Sequence, residues 1–180
     1  MLNLRLMTLT AIVLAAALSR LMPHPPNIAS VAAVALFGGA YFSDRRMAFL
    51  VPLAALLLSD GVMGFYPHME IIYAAFALIV CLGFWLRRDL TPLNIAGAAL
   101  AGSVLFYLVT NFGVWALGSL YPKTVDGLIA CYVAANPFFQ NTLQGDLFYT
   151  AILFGGFALL ERQFASLREA NVSSSMVEAS

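Results

Sequence analysis

Charge is what this sequence most conspicuously lacks. Only 10% of its residues are Asp, Glu, Lys or Arg, against 62% hydrophobic, whereas a soluble domain carries roughly 25% charged residues. So little polar surface cannot cover a soluble particle of 180 residues, which makes lipid the outer solvent. The formal net charge is zero, so the basic face that nucleic-acid binding requires is absent. Cysteine is scarce too. Cys81 and Cys131 match no metal-ligand spacing, and they fall at different depths in the topology below, which argues against a disulfide. The two histidines, His24 and His68, stand in no metal motif. There is no nucleophile elbow, phosphate-binding glycine loop, helical histidine pair or paired cysteine motif. No catalytic residue, metal ligand or cofactor is therefore assigned, and the chain has no ATP site of its own.

What is present is a series of apolar runs. The first, residues 6 to 22, follows Arg5. Ala15-Ala16-Ala17 would suit a signal-peptide cleavage site, but Leu18 and Leu21-Met22 continue the run without a polar break. It reads as an uncleaved first helix. Ala11, Ala15 and Ser19, four apart, form a small face of the kind that lets helices approach closely in lipid. His24-Pro25-Pro26-Asn27 then breaks the chain. Further runs cover Ile28 to Phe42, ending in the small residues Gly38-Gly39-Ala40, and Met47 to Leu58, with Pro52 inside it. Both are shorter than the ~20 residues of a straight span. A loop from Ser59 to Glu70 leads to a fourth run, Ile71 to Leu86. The fifth, Leu93 to Leu117, is interrupted at Asn111-Phe112-Gly113, and the sixth covers Leu147 to Leu160.

These runs predict an all-α integral membrane bundle of six transmembrane helices over residues 1–165, with a disordered tail at 166–180. Counting Lys and Arg by side sets the orientation. With both termini cytoplasmic, Arg5, Arg45, Arg46, Arg87, Arg88, Arg162 and Arg168 lie inside, and only Arg20 and Lys123 lie outside. The expected location is the bacterial inner membrane. The polar, aromatic loops then all face outward, whereas the cytoplasmic turns are short and basic.

One stretch stands apart. Residues 120 to 146 gather amides, aromatics, a thiol and two carboxylates between the last two runs. The stretch is too apolar for disorder and unusually long for a connection. It is expected to form a long outer cap loop over a binding site, with Val125 to Ala135 as a short interfacial helix.

Candidate ligand residues follow. Asp60 directly follows an apolar run, where a carboxylate is expensive. Glu70, at the start of the next run, suits the helix dipole instead. Tyr66 and His68 share that outer loop, as belt and solvated residues or as ligand contacts. Asn111 and Trp115, four apart on one helix face, pair an amide with an aromatic plane, which suits a flat polar heterocycle. An interhelical hydrogen bond and a membrane-belt position would explain the same two residues. Asn136, Gln140, Asn141, Gln144 and Asp146 cluster before the last run, more than capping its helix requires. Tyr121 and Phe139 complete the set, Phe139 as anchor or gate. Cys131 reads as a buried, inert thiol.

Three stretches carry a likeness beyond these patterns: Leu18 to Asn27 with Phe37-Gly38-Gly39-Ala40; Thr110-Asn111-Phe112-Gly113-Val114-Trp115 through Ser119 to Pro122; and Pro137-Phe138-Phe139 through Asn141-Thr142 to Gly145-Asp146. They resemble an uncharacterised bacterial membrane family (DUF6580-like) described as transport proteins. More loosely, the chain resembles the substrate-binding S-components of energy-coupling-factor (ECF) vitamin transporters. The resemblance implies binding of a vitamin or cofactor precursor at the outer face, through Asn27, the segment 60–70 and the segment 121–141. It also implies an ECF coupling subunit with ATPases as partner, docked on the alanines Ala11 and Ala15. A non-transporting scaffold or assembly factor of the cell envelope is the competing expectation, and an intramembrane enzyme built on Asp60 and Asp146 is a third.

Overall fold

The computed structural model describes residues 4–22 and 31–168. Among these residues the chain is all-helical, with no strand. Six helices follow in order: α1 (Leu4–Leu18), α2 (Val31–Tyr41), α3 (Arg45–Met63), α4 (Met69–Leu86), α5 (Pro92–Leu117) and α6 (Val125–Gln163). Two single 3-10 turns, Ser19–Leu21 and Ala165–Leu167, extend α1 and follow α6. All but α2 are long and apolar enough to cross a membrane. The start signals are chemical. Asp44 caps α3 through the Arg46 N–H (2.7 Å), and Thr91 caps α5 through the Asn94 N–H (3.3 Å) with Pro92 in the first turn. Thr124 caps α6 through the Gly127 N–H (3.1 Å).

The short helix α2 is the hub. Every residue from Ala32 to Tyr41 is buried, and α2 touches each of the other five helices, α4 most extensively. A helix apolar on all sides is one enclosed by neighbours. The small residues Gly38-Gly39-Ala40 serve this packing. A Cβ on Gly83 would lie 2.7 Å from the Gly39 Cα and 2.6 Å from the Leu36 carbonyl, so α2 and α4 meet backbone to backbone. On another face of the same half of α2, Phe37 and Tyr41 interlock with Phe154 and Phe157 of α6, with ring centroids 4.7–5.8 Å apart.

The expected cap loop does not form. Only Gly118–Thr124 connects α5 to α6, and α6 runs for 39 residues without a break, a length of roughly 58 Å at 1.5 Å per residue. Asn141-Thr142 is mid-helix rather than a cap, and the Thr142 hydroxyl donates to the Phe138 carbonyl (3.1 Å). Pro137 removes one intrahelical bond without ending the helix. What holds this half of α6 is antiparallel pairing with α5. The Tyr132 hydroxyl donates to the Leu108 carbonyl (2.7 Å), and the Tyr107 ring packs at a tilt against Tyr132 (5.4 Å) and Phe139 (4.7 Å). Likewise α5 passes through Asn111-Phe112-Gly113 uninterrupted, because Asn111 donates to the Tyr107 carbonyl of its own helix (2.8 Å).

Other boundaries shift as well. α3 continues to Met63, which places Asp60 inside a helix and shrinks the following loop to residues 64–68. The disordered tail expected over 166–180 does not include Leu167, which is buried and whose carbonyl accepts from Arg5. Residues 169–180 lie outside the described residues.

Candidate functional site

The bundle has two unlike ends. At one, Arg5 pairs with Glu161 (2.6 Å) and lies over Phe157, Arg87 donates to the Gly39 carbonyl (2.8 Å) at the end of α2, and Arg45 and Arg87 both lie over Phe84. Arg46, Arg88, Arg162 and Arg168 belong to the same end by chain position. The opposite end holds Arg20 and Lys123. The charge asymmetry read from the sequence is thus a spatial one.

A groove opens between α4, α5 and α6 in the half away from the arginines. It has a volume of about 280 Å³, near the lower bound of ~300 Å³ for small-molecule sites. Phe106, Tyr107, Thr110 and Asn111 line it from α5, Ala135, Phe138, Phe139 and Thr142 from α6, and Ile72 from α4. None of these lining residues is charged. Their polar atoms have a defined disposition. The Thr110 hydroxyl donates to the Phe106 carbonyl (2.7 Å) and the Thr142 hydroxyl to Phe138, which leaves both oxygens as acceptors. Tyr107 donates to the Tyr132 carbonyl (2.6 Å), with the Asn136 side-chain oxygen 2.9 Å away. Asn111 uses one amide hydrogen within α5 and retains a carbonyl oxygen and a second N–H. The groove therefore offers more acceptors than donors, beside the rings of Phe106, Phe138 and Phe139.

Of the sequence-assigned residues, the structure brings Asn111 and Phe139 together in this groove, with Asn136 held at its margin by Tyr107. Sequence reasoning missed Tyr107, Thr110 and Thr142. Their signal was spacing: Tyr107 and Asn111 are four apart on one face, with Thr110 three from Tyr107.

The remaining assigned residues lie elsewhere. The Trp115 indole donates to the Pro122 carbonyl (2.9 Å) and lies under the Lys123 ammonium, so it braces the turn into α6, next to Tyr121. His68 precedes α4 in a left-handed conformation (φ 61°), its Nδ1 3.4 Å from Glu70. Gln144 is exposed, and Asn141 is partly buried. Asn27 lies outside the described residues. Ala11 and Ala15 are exposed on the outer face of α1.

The two carboxylates expected at the site are buried in separate clusters. Asp60, 0% exposed, pairs with Arg20 (3.0 Å) and accepts from the Tyr73 hydroxyl (3.0 Å), with the Tyr66 hydroxyl at 3.5 Å. Burial, then the neighbouring Asp60 charge, raises the Tyr66 hydroxyl above its ordinary pKa. Asp146, 2% exposed, accepts from Ser103 (2.7 Å) and from the Ala32 and Ala33 N–H groups. Neither lines the groove. Cys131 is buried, with its thiol 3.5 Å from the Asn111 carbonyl. Among the described residues no group of three His, Cys, Asp or Glu side chains could hold a metal.

Five long apolar helices around a buried short one give this chain the build of a membrane protein. It matches the model of a family of unknown function (DUF6580) over residues 1–169, and it belongs to that family. No curated protein and no solved structure matches it.

Proposed function

We propose that the chain is a membrane-embedded binding protein that takes up a small, uncharged, aromatic-type molecule of the vitamin or cofactor-precursor class. The observation that carries this reading is the α4–α5–α6 groove, in which an amide, two acceptor hydroxyls and four aromatic rings converge without a charged group. A flat heterocycle would lie against Phe138 and Phe139. Its N–H or O–H edge would donate to Asn111, Thr110 and Thr142. An anionic ligand is disfavoured, because no cation faces the groove and its free lone pairs would repel an anion.

By the excess of arginine at the opposite end, the groove faces outward and both termini face the cytoplasm. This orientation fits a bacterial inner membrane protein resembling an ECF S-component. In that resemblance the exposed Ala11 and Ala15 would meet a coupling subunit driven by ATPases, since small residues permit close helix contact. The test is ligand binding by detergent-solubilised protein. Asn111→Leu should lose the ligand and still yield folded protein. Unchanged binding by that variant would remove the groove from the site.

A further inference from the structure

A second cavity lies at the arginine-rich end, where α3 begins and α4 ends. Its volume is about 500 Å³, and Arg45, Phe84, Trp85, Arg87 and Arg88 line it. The Arg45 and Arg87 guanidinium groups lie 5.9 and 5.4 Å from the centroid of the same Phe84 ring. Three cations thus share one recess, and among the described residues no carboxylate lines it. The two nearest in sequence are otherwise engaged: Asp44 caps α3, and Asp89 accepts from Asn94 (2.8 Å). Trp85 stands 59% exposed beside the cations, an amphipathic ring of the kind that sits at headgroup depth. Arg87 is engaged with the Gly39 carbonyl, and the like charges of Arg45 and Arg88 beside it, at the edge of a low-dielectric slab, favour a bound anion.

We infer that this recess binds the phosphate headgroup of an anionic phospholipid. Guanidinium groups recognise phosphate by charge-assisted hydrogen bonds, and the exposed Trp85 ring offers acyl chains an apolar surface beside them. Basic pockets between membrane helices are suited to such headgroups. Because Arg87 also holds the carbonyl end of α2, an occupied recess would brace the hub helix from below.

The two tryptophans, Trp85 and Trp115, lie at opposite ends of the bundle, which makes the test direct. Full-length Trp115→Phe protein in phosphatidylcholine vesicles is titrated with brominated phosphatidylglycerol or brominated phosphatidylcholine. Trp85 fluorescence should be quenched with about five-fold preference for the anionic lipid, the effect of about one well-placed cation. The preference should vanish in an Arg45→Gln/Arg88→Gln background whose helical content is unchanged. Should Trp115→Phe fail to fold, the difference between wild type and Trp85→Phe reads the same signal. Equal quenching by both lipids would overturn the inference, as would a preference that survives the double substitution. Relief of quenching by inorganic phosphate alone would overturn the lipid assignment in favour of a free phosphate.

Discussion

Asp146 of α6 caps α2 across the bundle: its carboxylate accepts the Ala32 and Ala33 N–H groups as well as the Ser103 hydroxyl at 2.7 Å. The first turn of a helix leaves its N–H groups without intrahelical partners, and Ala32 and Ala33 are buried. A carboxylate also suits the positive end of the helix dipole. The buried charge is thus explained by structure, at a place where sequence alone suggested a ligand. Asp146→Leu should orphan these donors and lower stability by at least about 3 kcal/mol. Asp146→Asn, which keeps an acceptor oxygen, should lose clearly less. Thermal unfolding in detergent measures both, and equal melting of Asp146→Leu and wild type would contradict the cap.

The other buried carboxylate has a different partner and a different expected response. Arg20→Gln leaves Asp60 as an uncompensated charge in a site without exposure, a change that costs roughly 3–5 kcal/mol. Replacing both, as Arg20→Met/Asp60→Leu, should recover most of that loss. A double-mutant cycle decides it. Additive losses would mean that the pair does not act as a unit.

Contact between α2 and α4 depends on the absence of side chains at Gly39 and Gly83. A Cβ on Gly39 would collide with the Val80 carbonyl and come within 2.8 Å of the Gly83 Cα. Neither obstacle is the far end of a flexible side chain. Gly39→Leu should therefore cost more than the ~1–3 kcal/mol of ordinary overpacking and yield aggregated protein on size-exclusion chromatography. A monodisperse variant would show that the two helices do not meet there.

The long helix α6 is testable by distance. Spin labels at Val125 and Phe148, on either side of Pro137, should be separated by about 35 Å along the axis, from 1.5 Å per residue. A narrow distribution near that value supports one helix through Pro137, and a broad one would restore a loop.

How far the sequence disclosed this arrangement differs by element. Hydrophobic runs located α4 and α5 almost to the residue, since length and apolarity alone determine them. The glycines of Gly38-Gly39-Ala40 correctly suggested a close-packed face. By contrast, residues 120–146 look like a loop because amides and Pro137 lower local helix propensity. Packing of Tyr107 against Tyr132 and Phe139 overrides that preference, and such a tertiary effect leaves no local trace. For the site, Asn111 and Phe139 were legible as an amide and an aromatic in apolar surroundings. Asp60 and Asp146 were equally conspicuous, yet their partners, Arg20 and the first turn of α2, lie far away in sequence.

The central claim is that the α4–α5–α6 groove holds a small uncharged molecule. Mass spectrometry of small molecules co-purified with the detergent-solubilised protein tests it most directly, run in parallel on wild type and Asn111→Leu. The account predicts a donor-bearing heterocycle present in the wild type and lost from the variant. The same small molecules in both samples, or none in either, would contradict it.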